Sequence, residues 1–137
     1  MTFLLDTNVV SEIRKTTGDS NVVRWYLSTT PGELSLSVLV IGEISQGIAR
    51  LRRRGDALQA DVFDAWLTEL KEGFRERLVE ISTPVAELWG QLNAANPMPI
   101  IDGLMAATAI EHELTLVTRD TDALAGTGVR LLNPWLA

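Results

Sequence analysis

With 137 residues, 46% of them hydrophobic and 22% charged, the chain has the size and composition of one globular core burying roughly two-thirds of its unfolded surface, which sets aside disorder and points to a single domain over residues 1–137. The formal net charge of −6 sets aside attachment to nucleic acid through a general excess of Lys and Arg. The absence of cysteine excludes disulfides, zinc-thiolate sites and thiol nucleophiles; with no apolar run fit to span a bilayer and no secretion signal at the N-terminus, the expected location is cytoplasmic, without a membrane partner.

Phe3 to Leu5 reads as a short buried strand, followed by a helix through about Arg14 with Thr7 or Asn8 as its cap. A second helix starts near Asp19 or Ser20, with Val22, Val23, Trp25, Tyr26 and Leu27 on and around its buried stripe, before Pro31-Gly32 breaks the chain. Leu34-Ser35-Leu36 is the next strand, and Ser37 caps a helix from Val38 to about Arg53 that Gly55-Asp56 interrupts. From Ala57 to Arg75, Leu58, Val62, Trp66 and Leu70 recur in steps of four, which predicts a helix with that face buried. Leu78 to Ile81 is a candidate strand, and Ser82 or Thr83 before Pro84 starts a helix through Ala95. After the stiff Asn96-Pro97-Met98-Pro99 loop come a helix from about Ile100 to Glu113, a strand from Leu114 to Val117, a short helix near Asp122 to Leu124, the Gly126-Thr127-Gly128 turn and a strand from Val129 to Leu132. Short apolar strands separated by helices predict an α/β fold with a parallel sheet covered on both faces.

Four carboxylates stand where solubility does not require them. Asp6 ends the first strand, and Asp120 follows Leu116-Val117-Thr118-Arg119 just beyond a later one. Glu43 lies in Leu39-Val40-Ile41-Gly42-Glu43-Ile44, and Asp102 follows Ile100-Ile101, both early in their helices. In a parallel sheet these positions share the carboxyl edge, where the ligand crevice of such folds lies. Two have a plainer explanation, since Asp102 also complements a helix dipole, worth about 0.3–1 kcal/mol, and Asp120 also suits a helix cap, whereas Glu43 amid apolar residues and Asp6 at a buried strand end do not. Together they raise an energetic problem. Two carboxylates about 5 Å apart repel by roughly 3 kcal/mol at an effective dielectric near 20. Summed over every pair among four, that exceeds the roughly 5–15 kcal/mol net stability of a domain unless protons or cations intervene. Lysine occurs only at positions 15 and 71, and Arg119 is the one cation next to a candidate acid in sequence. An all-oxygen donor set suits Mg²⁺ or Mn²⁺ rather than zinc, and such an ion suits phosphodiester hydrolysis. Thr7, Asn8 and Thr118 are placed to orient carboxylates or water, and also to cap and turn the chain.

The segments LLDTNVVSE, SVLVIGEISQGI, IIDGLMAATAI and LTLVTRDTDALAGTGVRLLNPW together resemble the PIN-domain ribonucleases of the VapC toxin type, the last segment resembling the FitB-like branch in particular. The resemblance spans nearly the whole chain. It implies a three-layer α/β/α sandwich with a short parallel sheet, dependence on Mg²⁺ or Mn²⁺, an RNA substrate, a homodimer, and inhibition by a cognate VapB-type antitoxin through which any DNA contact is made. It makes Asp6 and Asp102 the leading metal ligands, with Glu43 and Asp120 completing the catalytic acids. One departure stands out: where these toxins often carry a further Asp three residues after position 120, this chain has Ala123, with Asp122 beside it.

Arg50, Arg52, Arg53 and Arg54 form the densest basic run, suited to RNA phosphates or an antitoxin's acidic tail, and equally to a solvated helix end. Trp25, Trp66, Trp89 and Trp135 read as core or interface anchors rather than base-stacking platforms. His112, between Glu111 and Glu113, has no catalytic role in this reading. Two other function classes fit the acids: a phosphoacceptor signalling module, which needs a paired acid at the first strand and a Lys after the last, and a non-enzymatic subunit of a DNA-regulating complex.

Overall fold

Phe3-Leu4-Leu5 forms strand β1, buried along its whole length, as an apolar triplet must be when both faces of a sheet are covered. The computed structural model describes residues 1–136. Four more strands join β1: β2 (Leu34–Ser37), β3 (Leu78–Val79), β4 (Thr115–Val117) and β5 (Leu131–Leu132). The sheet is parallel throughout, in the order β3-β2-β1-β4-β5. Leu5 pairs with Leu36 on one side and with Val117 on the other. The strands β1 to β3 progress outward in one direction and β4 to β5 in the other, so the order reverses between β1 and β4. That reversal is where an open α/β sheet leaves a crevice beyond its carboxyl ends.

The helices are α1 (Thr7–Arg14), α2 (Ser20–Ser28), α3 (Val38–Arg53), α4 (Ala57–Gly73), α5 (Thr83–Ala95), α6 (Ile100–Glu111) and the single turn α7 (Thr121–Leu124). They flank the sheet in the expected α/β/α arrangement; α1 meets α2 and α3, α3 meets α4, and α5 meets α6. Leu4, Leu36 and Leu116 are wholly buried in the sheet, with Val9, Val40, Met105 and Ala106 from the helices above and below. Each fully buried Leu contributes roughly 1.5–3 kcal/mol of transfer free energy. Asp19, Ser37, Asp56 and Ser82 cap α2 to α5 by accepting backbone N–H groups.

Four details depart from the sequence expectations. The cap of α1 is Asp6 itself, not Thr7 or Asn8. The apolar steps of α4 include Leu58 and Val62, yet these are 84% and 60% exposed. The face that α4 buries is rotated from them, through Ala60 and Leu67 with Phe63, Trp66 and Leu70 half-buried alongside, because α3 is its main neighbour. Leu27 at the end of α2 is likewise 75% exposed. Strands β3 and β5 are each two residues long rather than four, since Glu80-Ile81 and Val129-Arg130 have no paired residue on the neighbouring strand, although the Arg130 carbonyl still accepts the Leu116 N–H at 2.8 Å. Among the described residues, no helix is long and apolar enough to cross a membrane.

Candidate active site

Asp6 stands where β1 becomes α1. Its N–H extends the sheet by donating to the Val117 carbonyl at 3.0 Å, and one carboxylate oxygen accepts the Thr7 N–H at 2.7 Å to cap the helix. The other accepts the Thr118 hydroxyl at 2.7 Å. With 9% of its surface exposed, Asp6 has its carboxyl pushed above the ordinary range, chiefly by burial. The hydrogen bonds from Thr118 and Thr7 draw it back down, and the negative charge of Asp120 raises it.

Two threonines tie this carboxylate to its neighbours. Thr118, fully buried one residue past β4, donates to Asp6 while its oxygen accepts the Asp120 N–H at 3.1 Å. Thr7 donates its N–H to Asp6 and its hydroxyl to Glu43 Oε1 at 2.5 Å. Glu43 thereby reaches from α3 to the start of α1, although the two residues are far apart in sequence. The Asn8 amide donates to Asp120 Oδ2 at 3.3 Å. Asp120 sits at the cap position of α7 but makes no side-chain capping bond, so its carboxylate is turned toward Asn8 rather than spent on the helix.

Asp102 is in the first turn of α6, a helix whose cap, Pro99, offers no side-chain bond. Its carboxyl is also raised, first by burial and then by the negative charges of Asp6, Asp120 and Glu43. Asp102 is therefore within Coulombic reach of the other three acids, and Asp6 of Asp120, at the carboxyl edge beside the β1–β4 reversal. Gly103 lets α6 approach α5 closely: a Cβ there would stand 2.9 Å from Trp89 Cδ1, so the turn carrying Asp102 is seated directly against the indole.

No ion pair among the described residues involves any of the four. Arg119, adjacent to Asp120, turns its guanidinium over the Trp135 ring at 5.1 Å. The donor set fits a hard divalent cation, being all carboxylate oxygen with the Asn8 Oδ1 atom buried next to it and lacking any hydrogen-bond partner. The acids ring the crevice without closing on it: among the described residues, no three acidic or histidine side chains already form a compact ligand group.

Other singled-out residues lie elsewhere. Arg52 is engaged by Asp61 at 2.9 Å and Asp64 at 3.4 Å, while Arg50, Arg53 and Arg54 are exposed at the end of α3 and His112 at the end of α6. Trp25 packs edge-on to Phe3, and Trp66 and Trp135 pack against the core. Trp89 lies between α5 and α6 with its N–H buried and unpartnered. Asp122 is exposed. An apolar groove also opens beside Glu43, for which the common face of Thr7 and Ser11 on α1 is the local sign in the sequence.

Comparison with known proteins agrees with this geometry. The family model described as the PIN domain matches residues 3–128. Toxin FitB of Neisseria gonorrhoeae is 31% identical, covering 96% of this chain and 97% of its own. The VapC ribonuclease Y4jK of Sinorhizobium fredii is 30% identical over 96% of each. The crystal structure of FitAcB from Neisseria gonorrhoeae superposes with a TM-score of 0.90 at 30% identity, covering 99% of this chain and 100% of that one.

Proposed function

The chain belongs to the PIN-domain family, within reach of the FitB and VapC toxins, and on that premise we propose that it is a Mg²⁺- or Mn²⁺-dependent endoribonuclease. It serves as the toxin of a VapBC-type module in the cytoplasm, acts as a homodimer and single nuclease domain, and is held in check by a cognate VapB-type antitoxin that makes any DNA contact. The observation that carries the reading is the gathering of Asp6, Glu43, Asp102 and Asp120 at one sheet edge, with hydroxyl or amide partners on Asp6, Glu43 and Asp120 and, among the described residues, no ion pair on any of the four.

Asp6 and Asp102 would hold the cation, with Glu43 and Asp120 completing the set. When bound, the ion supplies Lewis-acid stabilisation of charge on the phosphoryl group and activation of the attacking water. The remaining work falls to the chain. Thr118 and Thr7 fix both oxygens of Asp6, so this carboxylate presents one orientation without rotamer search. The Thr7 hydroxyl draws Glu43 toward the same point. Asp120, exposed and anchored only by Asn8, is free to orient water or to accept its proton.

The signalling alternative is disfavoured by the lysines: Lys15 pairs with Glu12 at 3.1 Å and Lys71 lies in α4, neither following a strand. Incubating the purified protein with total RNA and Mn²⁺ tests the proposal. Internal cleavage that stops on chelation and is lost in Asp6→Asn and Asp102→Asn is the expected result. Intact RNA with well-folded protein and added metal contradicts it.

A further inference from the structure

A groove of about 220 Å³ opens beside the acids. Thr7 and Glu43 form one end of it; Ser11, Ile48, Phe63 and Trp66 continue it between α1, α3 and α4. Its volume is below the roughly 300–1,000 Å³ of sites built for larger ligands and suits one flat ring system. At the outer end Arg14, the last residue of α1, lays its guanidinium 4.2 Å from the Phe63 ring centre and 5.4 Å from that of Trp66. Thr7, Ser11 and Arg14 fall at i, i+4 and i+7 on one face of α1, so the groove runs about 10 Å along the helix at its 1.5 Å rise per residue. Hence an acidic end, an apolar aromatic middle and an exposed cation succeed one another along a single line.

We propose that this groove is a base subsite: the base of a nucleotide next to the scissile phosphate stacks on Trp66 with Phe63 standing beside it, the two rings being 72° apart, Ser11 offers its one hydroxyl to the base edge, and Arg14, which lies over Phe63, takes the following phosphate. The inference rests on the nuclease reading, since it is the acidic end that sets where the scissile phosphate lies. The order of chemistry matches single-stranded RNA, which alternates charge with flat apolar surface and is recognised by aromatic stacking and arginine. A duplex does not fit, because its bases are not available to enter a groove of this size.

The test uses the full chain carrying Asp102→Asn to prevent turnover, and a short oligoribonucleotide whose cleavage site has been mapped with the wild-type protein. Affinity in Mg²⁺ is read by fluorescence anisotropy. Removing the base at the position flanking the mapped site, a change that leaves the protein untouched, is expected to weaken binding about tenfold, and Phe63→Leu and Trp66→Leu to do the same without adding to that loss. Arg14→Gln is expected to lessen the slope of log affinity against log salt by about 0.7, the value of one single-strand phosphate. Equal affinity for the abasic and intact oligonucleotides, or variants that lose only the capture of an antitoxin peptide while binding RNA normally, overturns the proposal. Failure of the nuclease reading looks different: the wild-type protein then yields no cleavage site to map.

Discussion

Thr118 serves two acids with one buried hydroxyl, donating to Asp6 and accepting from the Asp120 N–H. Replacing it by Val keeps the volume and removes both bonds. Hydrogen bonds to charged groups contribute roughly 1.5–3 kcal/mol, so Thr118→Val should lower stability by about that amount. It should also weaken metal binding by about 10–100-fold, as loss of such supporting partners does. Because the Thr118 bond lowers the Asp6 carboxyl, the acidic limb of the cleavage pH profile should move upward in Thr118→Val and return in Thr118→Ser, a signature that simple destabilisation does not give. Asp6→Asn tests the acceptor itself. Asn still caps α1 through the Thr7 N–H, but its amide N–H₂ replaces the oxygen that accepts the Thr118 hydroxyl, so relief of the buried charge is offset by a lost hydrogen bond of roughly 1.5–3 kcal/mol, and the unfolding temperature should stay near that of wild type while cleavage is lost. An unfolding temperature below that of Thr118→Val contradicts that account.

At the level of elements, the strand ends and caps were readable because each rests on local chemistry. Asp19, Ser37, Asp56 and Ser82 begin their helices at or beside the expected residues, Asp6 directly follows β1 and Asp120 lies just beyond β4, as their apolar neighbours indicated. Asp6 was misjudged in one respect. It does the capping expected of Thr7 or Asn8, because a residue at a strand-to-helix junction is able to serve the ladder, the cap and the site together. The buried face of α4 was not readable. Steps of four in Leu58, Val62, Trp66 and Leu70 define a stripe, but which stripe is covered depends on the neighbour, and α3 covers the one through Ala60 and Leu67. Leu67→Ala should therefore cost about 2–5 kcal/mol, whereas Leu58→Lys should change stability by no more than about 0.5 kcal/mol, as measured by urea unfolding. The α5–α6 contact has its own weak point. Gly103→Ala forces a methyl against Trp89, and overpacking of this kind costs typically 1–3 kcal/mol. The same denaturant measurement checks it.

For the molecule as a whole, the acidic crevice sets how stability varies with pH. The carboxyls of Asp6 and Asp102 are raised above their ordinary values, so the folded chain holds protons that the unfolded chain has released. Stability then falls as pH rises from the ordinary carboxylate value through the raised ones. Glu12, lowered chiefly by the Asp19 N–H and also by Lys15, acts in the opposite sense at lower pH, losing its contribution as pH falls through its folded value. A divalent cation binds only the ionised crevice. The rise in unfolding temperature produced by Mg²⁺ should therefore grow with pH across the window in which Asp6 and Asp102 ionise, and level off above it. A shift independent of pH contradicts this linkage.

The placing of the four acids at one edge was legible in the order of strands and helices, but the groove beside Glu43 depends on how α1, α3 and α4 pack. The central claim is that these acids act together on one hard cation. Anomalous scattering from Mn²⁺-soaked crystals tests it most directly. The account predicts a manganese peak in the crevice between Asp6 and Asp102, with Glu43 and Asp120 turned toward it, and no such peak in crystals of Asp6→Asn. Manganese bound only elsewhere, in a protein that still cuts RNA, would contradict it.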